Sequence, residues 1–120
     1  MEMIKSFKDK KVLITGHTGF KGSWLTLWMK LLGAKVMGCS YGKKTTPSNF
    51  DILKLKKKIN SKSIDVRNFN SINKCIHNFK PDYIFHLAAE AIVKTSYQFP
   101  RKTWETNTLG TINILDSLRN

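Results

Sequence analysis

Between Lys11 and Leu32 the chain reads KVLITGHTGFKGSWLTLWMKLL: a short apolar strand, a turn with three glycines, and a helix-spaced segment in immediate succession. Val12, Leu13 and Ile14 have the aliphatic, β-branched composition of a strand buried on both faces of a parallel sheet. Past the turn, Phe20, Trp24, Leu27, Trp28, Leu31 and Leu32 recur at helical spacing, while Lys21, Ser23, Thr26 and Lys30 fall mostly on the other side; the pattern predicts an amphipathic helix. Gly16, Gly19 and Gly22 stand three apart where that helix begins. A helix start offers free N–H groups and a positive dipole end to an anion, and glycine lets a pyrophosphate reach the backbone. Lys21, in the first turn, is unfavourable to the helix alone and favourable beside phosphate. The same glycines would also serve plain turn chemistry. Strand, glycine spacing and helix together favour a phosphate cradle.

At 120 residues and 41% hydrophobic content the chain is sized for one compact domain. Its net charge of +13 raises the question of nucleic acid or an anionic membrane surface. Of 21 basic residues, however, only Arg67, Arg101 and Arg119 are arginine, the side chain suited to base and bidentate phosphate recognition. Apart from Lys54, Lys56, Lys57 and Lys58 the lysines are scattered, so no nucleic-acid partner is expected. Cys39 and Cys75 form no CxxC, disulfide framework or metal-ligand cluster, which fits a reduced, cytoplasmic protein without a metal. The apolar run Trp24 to Leu32 is interrupted by Lys30 and too short for a membrane span, and MEMIKSFKDKK lacks a signal-peptide core.

Gly33 stops the first helix, and Lys35 to Cys39 forms a second strand, completing a βαβ unit. An acid at the end of that strand would favour NAD; Ser40, Tyr41, Gly42, Lys43 and Lys44 supply none, so NADP stays open, with Lys43 and Lys44 either on a 2′-phosphate or simply solvated. Gly42 to Asn60 reads as a surface excursion in which Phe50, Ile52, Leu53 and Leu55 pack a helical turn. Ser63 to Val66 is expected as a third strand, leaving Asp65 at its end as a ligand residue, a helix cap or a turn acid. Asn70 or Ser71 would cap the next helix, with Phe69, Ile72, Ile76 and Phe79 on its apolar face, and Pro81 ends it. Tyr83 to Leu87 makes a fourth strand. Ala88 and Ala89 leave room beside it, and His86 reads as a satisfied core histidine. Thr103 to Leu118 is a last helix with Trp104, Leu109, Ile112, Ile114, Leu115 and Leu118 available to cover the sheet. The fold class is therefore α/β: a Rossmann-like three-layer parallel sheet with helices on both faces, order 3-2-1-4, ending after about four strands.

TGHTGFKG after strand one, DVR after strand three, FHLAAE after strand four and TNTLGTINIL in the last helix together resemble the extended short-chain dehydrogenase/reductase family. HTGFKGSWL, PSNF and the neighbours Ser96, Tyr97 and Pro100 are similar, more narrowly, to the N-terminal part of its CDP-glucose 4,6-dehydratases. The resemblance implies an NAD-dependent lyase acting on a nucleotide sugar, homo-oligomeric at full length. It places Gly16, Gly19 and Gly22 on the pyrophosphate, with His17, Thr18, Phe20 and Lys21 lining the same loop. It places Asp65 and Val66 at the adenine, Leu87, Ala88 and Ala89 beside the nicotinamide half, and Thr106 and Asn107 near the end of strand four. Glu90 and Lys94 depart from the more usual glutamine and arginine. The family's Tyr-x-x-x-Lys is absent: Tyr41, Tyr83 and Tyr97 are followed four residues on by Thr45, Leu87 and Arg101. Residues 1–120 are thus expected to be the N-terminal part of an NAD(P)-binding domain, inactive alone, with no catalytic residue among them. Another nucleotide-sugar epimerase or reductase, or a non-catalytic nucleotide-binding module, is the alternative.

Overall fold

A computed structural model describes residues 6–42 and 45–119. Lys43, Lys44 and the first five residues, on which the 2′-phosphate and part of the leader expectations rest, lie outside the described residues. The elements run β1 (Lys11–Thr15), α1 (Phe20–Leu31), β2 (Lys35–Ser40), α2 (Asn49–Ile52), a 3-10 turn (Leu55–Lys57) and β3 (Asn60–Ser63). There follow α3 (Phe69–Phe79), β4 (Tyr83–His86), α4 (Val93–Gln98), α5 (Pro100–Trp104), a π turn (Glu105–Leu109) and α6 (Gly110–Ser117). The four strands form one parallel sheet in the order β3-β2-β1-β4, as the sequence implied. Central β1 sets Val12 against Val36 on one side and Tyr83 on the other.

Because β1 is covered on both faces, its alternating side chains feed two cores. Leu13 joins Met37, Cys39, Ile72, Ile76 and Ile114 on the α3 and α6 side. Val12 and Ile14 join Met29, Ala34 and Val36 on the α1 side. Val12, Leu13 and Ile14 are wholly buried, each contributing about 1.5–3 kcal/mol by apolar burial. Asp82 fixes the register at the far end of the sheet, its carboxylate accepting from Lys11 N–H at 2.7 Å.

Three expectations are corrected. The third strand is Asn60–Ser63, not Ser63 to Val66. As an edge strand bonded only to β2 it tolerates the polar sequence NSKS, whereas the apolar Ile64 and Val66 belong to the loop that leaves it. The cap of α3 is Asn68, whose side chain accepts from Ser71 N–H, rather than Asn70 or Ser71. The last helix begins at Pro100 and is interrupted by the π turn, so Thr103 to Leu118 is not one continuous α-helix.

The largest surprise is which face each long helix buries. In α1 the side turned to the sheet is Gly22, Ser23, Thr26 and Met29, while Phe20, Trp24, Trp28 and Leu31 are exposed. Small residues let the helix lie close on the strands. The hydroxyls of Ser23 and Thr26 donate to Phe20 O and Gly22 O, so burying them strands no polar atom. In α6, Gly110, Asn113, Ile114 and Ser117 face inward and Ile112, Leu115 and the following Leu118 face out. Ile114 alone of the six apolar residues expected to cover the sheet is buried.

Candidate functional site

The C-terminal ends of the strands open into a cleft of ≈ 540 Å³, the place where a doubly wound sheet binds ligands. The glycine turn forms its floor. Gly16 has φ +72°, and a Cβ there would stand 2.7 Å from Ala88 N and 2.8 Å from the carbonyl of Leu87. The β1 exit and the β4 exit therefore touch through backbone alone. Gly22 brings the first turn of α1 against the same residue: a Cβ on it would lie 2.0 Å from Gly16 O. Gly19 is the N-cap of α1, with no side-chain cap and no acidic residue in the first turn, so the helix dipole there is left for a ligand.

His17 and Asn107 were both expected on the cofactor, and neither lines the cleft; all the other residues named for it do. The His17 ring, 1% exposed, turns behind the turn instead. Its Nδ1 is 3.0 Å from Ser40 Oγ and its Nε2 is 2.7 Å from Ser61 Oγ, and Phe50 meets it edge-on at 5.2 Å. Ser40 Oγ also accepts from Thr18 N–H at 3.3 Å. His17 thus ties the turn to the end of β2 and to β3. It fits only because Gly38 has no side chain: a Cβ there would sit 2.2 Å from the imidazole Cγ. Ser61 and Gly38 escaped sequence reading, since nothing in their local pattern marks them.

Asn107 acts on the other rim. Its Oδ1 accepts from Glu90 N–H at 2.7 Å and its Nδ2 donates to Glu90 O at 3.2 Å, bracketing the loop after β4. The Glu90 carboxylate faces the cleft 3.9 Å from Lys102 Nζ. Lys102 lines the cleft from α5 and was not foreseen.

Asp65 lies two residues past β3 and is held as a turn acid. It accepts from Arg67 N–H at 3.0 Å, from Arg67 Nε at 3.0 and 3.1 Å, and from the guanidinium at 2.7 Å. The hydrogen bonds from Arg67 keep its carboxyl below the usual carboxylate range despite partial burial. Val66, 4% exposed, gives its carbonyl to Asn113 Nδ2 at 2.8 Å, which anchors this rim to α6. Arg67 joins the two rims, its guanidinium also reaching Glu105 at 3.6 Å.

A polar chain runs beneath the cleft. Thr15 Oγ1, fully buried, accepts from Leu87 N–H at 3.1 Å and Ala88 N–H at 3.2 Å, and donates to His86 Nδ1 at 2.6 Å. That assigns the proton of His86 to Nε2, which donates to Thr111 Oγ1 at 3.1 Å; Thr111 in turn donates to Asn107 O at 2.7 Å. His86 is the satisfied structural histidine expected. Burial lowers its pKa from the ordinary 6.5, because its charged form has lost water. The unfolded chain therefore binds the proton more readily, and stability present above about pH 6.5 is lost as pH falls toward the lower folded value. Thermal midpoints measured from pH 8 to pH 5 should fall in this window for the natural chain, and the fall should shrink in His86→Gln.

Residues 13–120 match the family model for GDP-mannose 4,6 dehydratase. The chain belongs to that family. Among curated relatives of the 4,6 dehydratase family and its neighbours, the CDP-glucose 4,6-dehydratase of Salmonella typhimurium is 42% identical over 113 residues, covering 94% of this chain and 32% of the relative. The CDP-paratose 2-epimerase of Salmonella typhi is 32% identical, over 91% of this chain and 32% of the relative. The epimerase Mth375 of Methanothermobacter thermautotrophicus superposes with TM-score 0.83 at 28% identity, over 98% of this chain and 34% of that one. A Thermus thermophilus UDP-glucose 4-epimerase solved in complex with NAD superposes with TM-score 0.78 at 27% identity, over 91% and 33%. The chain thus spans about a third of the length of these relatives. Among the described residues no helix is long and apolar enough to cross a membrane.

Proposed function

We propose that this chain is the NAD-binding N-terminal part of a nucleotide-sugar 4,6-dehydratase whose substrate is CDP-glucose. The observation that carries the reading is the turn Gly16–Gly22: backbone packed on backbone where any Cβ at Gly16 or Gly22 would collide, opening onto an uncapped helix start at the strand ends. That cradle fits a pyrophosphate, which needs N–H donors and close approach rather than side chains. Gly16, Thr18, Gly19, Phe20, Lys21 and Gly22 hold the pyrophosphate in this reading, with Lys21 adding a cation. Asp65 and Val66 meet the adenine end, and Leu87, Ala88 and Ala89 the nicotinamide end. His17 and Asn107 hold the two rims in place from outside the cleft. When bound, NAD supplies a two-electron acceptor that this reaction class borrows and returns within a turnover. The chain's own part is to bind and orient it; the tyrosine and lysine that would move protons are not among these residues. The choice of CDP-glucose is supported by the 42% identity to a CDP-glucose 4,6-dehydratase, against 31% to the Caenorhabditis elegans GDP-mannose 4,6 dehydratase 2.

Calorimetric titration with NAD and NADP tests the cofactor half. Saturable binding of NAD, stronger than NADP, is expected, and heats indistinguishable from buffer with both would sink the reading. For the substrate, the full-length protein incubated with CDP-glucose, GDP-mannose and dTDP-glucose should convert CDP-glucose fastest to its 4-keto-6-deoxy product. Preference for either of the others would leave the cofactor role intact and remove CDP-glucose.

A further inference from the structure

Cys39 and Cys75 stand 36 residues apart in the chain, yet the fold brings their sulfurs to 3.4 Å. Cys39 projects from β2 into the core and is wholly buried. Cys75, on α3, packs against the same core but is only partly covered, so a small solute reaches it first. Met37 Sδ lies 3.5 Å from Cys75 Sγ, so the soft, polarisable neighbours here are sulfurs. Two sulfurs in van der Waals contact need to close by only about 1.4 Å to reach disulfide bond length. Neither the nucleotide cleft nor its polar chain uses them.

We infer that Cys75 and Cys39 form a peroxide-responsive dithiol, in which Cys75 is oxidised first and Cys39 resolves it to an internal disulfide. The Cys75 thiolate attacks one oxygen of a hydroperoxide; the S–O bond forms, the O–O bond breaks, and the departing oxygen takes a proton to leave as water or alcohol. Cys75 is now a sulfenic acid. The sulfur of Cys39 then attacks the sulfur of Cys75 and displaces hydroxide, which takes the Cys39 proton and leaves as water. Two thiols have lost two electrons and two protons, and the hydroperoxide has accepted them. A dithiol reductant reverses the step by exchange. The order follows from access and from the sulfur–sulfur hydrogen bond. With Cys39 S–H as donor, the Cys75 thiol loses its proton more readily, with Lys62 nearby helping, while Cys39 keeps its own. The inference stands on the sulfur geometry and does not rest on the nucleotide reading.

The test treats the reduced chain with hydrogen peroxide in the presence of a metal chelator, then measures free thiols, intact mass and cross-linked peptides. The natural chain should go from two titratable thiols to none, become lighter by two hydrogen atoms, stay monomeric on a non-reducing gel, and yield one peptide pair joining Cys39 to Cys75. Dithiothreitol should restore both thiols. Cys39→Ser should stop at a dimedone-trapped sulfenic acid on Cys75, and Cys75→Ser should leave Cys39 unmodified under the same exposure. Peptide mapping of the natural chain keeps the test decisive even where a variant folds poorly. Two thiols surviving peroxide that oxidises free cysteine, a disulfide between molecules, or trapping at Cys39 first would each overturn the inference.

Discussion

Replacing Gly22 with alanine is expected to weaken NAD binding roughly a hundredfold, the affinity equivalent of about 3 kcal/mol. The added methyl would be placed 2.0 Å from Gly16 O, and that oxygen is backbone, held by a residue whose own φ of +72° leaves no slack. The turn can accept the methyl only by opening, which swings the start of α1 away from the cleft. Gly19→Ala is the control: its Cβ would meet Gly16 O at 3.3 Å, a contact a few tenths of an ångström relieve. Titration of both variants with NAD should show severe loss for the first and a modest loss for the second. Equal affinities would mean that the turn is not what grips the cofactor.

Thr15→Val should destabilise the chain by about 3 kcal/mol, lowering the thermal midpoint by more than about 10 °C. The substitution preserves shape and removes one oxygen. Leu87 N–H keeps Thr15 O as a partner at 3.1 Å, but Ala88 N–H and His86 Nδ1 lose theirs. Leaving partly buried polar atoms unpaired costs more than the bonds themselves contribute. Thr15→Ser retains the hydroxyl and should recover most of the loss. If valine leaves the midpoint near its natural value while serine lowers it, the polar chain under the cleft contributes little and packing of the methyl is what matters.

The parts of the fold legible in the sequence are those whose local pattern and final environment agree. β1 and β2 are apolar because they are sandwiched, half-buried β4 carries the aromatic and β-branched run YIFH, and Gly16 through Gly22 announce a turn that only glycine can make. The third strand was illegible for the opposite reason: NSKS pairs on one side only and faces water, so backbone hydrogen bonds and not composition make it a strand. The helices misled in a different way. Helical spacing fixed the periodicity of α1 but not its direction, because close packing beside the glycine turn selects Gly22, Ser23 and Thr26 over Trp24 and Trp28. In the site, residues adjacent to a recognisable turn could be found. Ser61, Lys102 and the pairing of Arg67 with Asp65 could not, since their meaning comes from which distant segment the sheet order places beside them.

That sheet order also sets a timetable. β1 pairs with β2 within one βαβ unit, but its other edge waits for β4, whose Tyr83 is the partner of Val12. Tyr83 follows Val12 by 71 positions, and at a synthesis rate of about 5–20 residues per second it emerges roughly 4–14 s later. For that interval the most buried strand in the molecule carries an open edge of unpaired N–H and C=O groups. Lys8 and Lys10 just before it and Lys11 at its first position place positive charge at the start of that edge, where it discourages a second nascent chain from pairing in the place of β4.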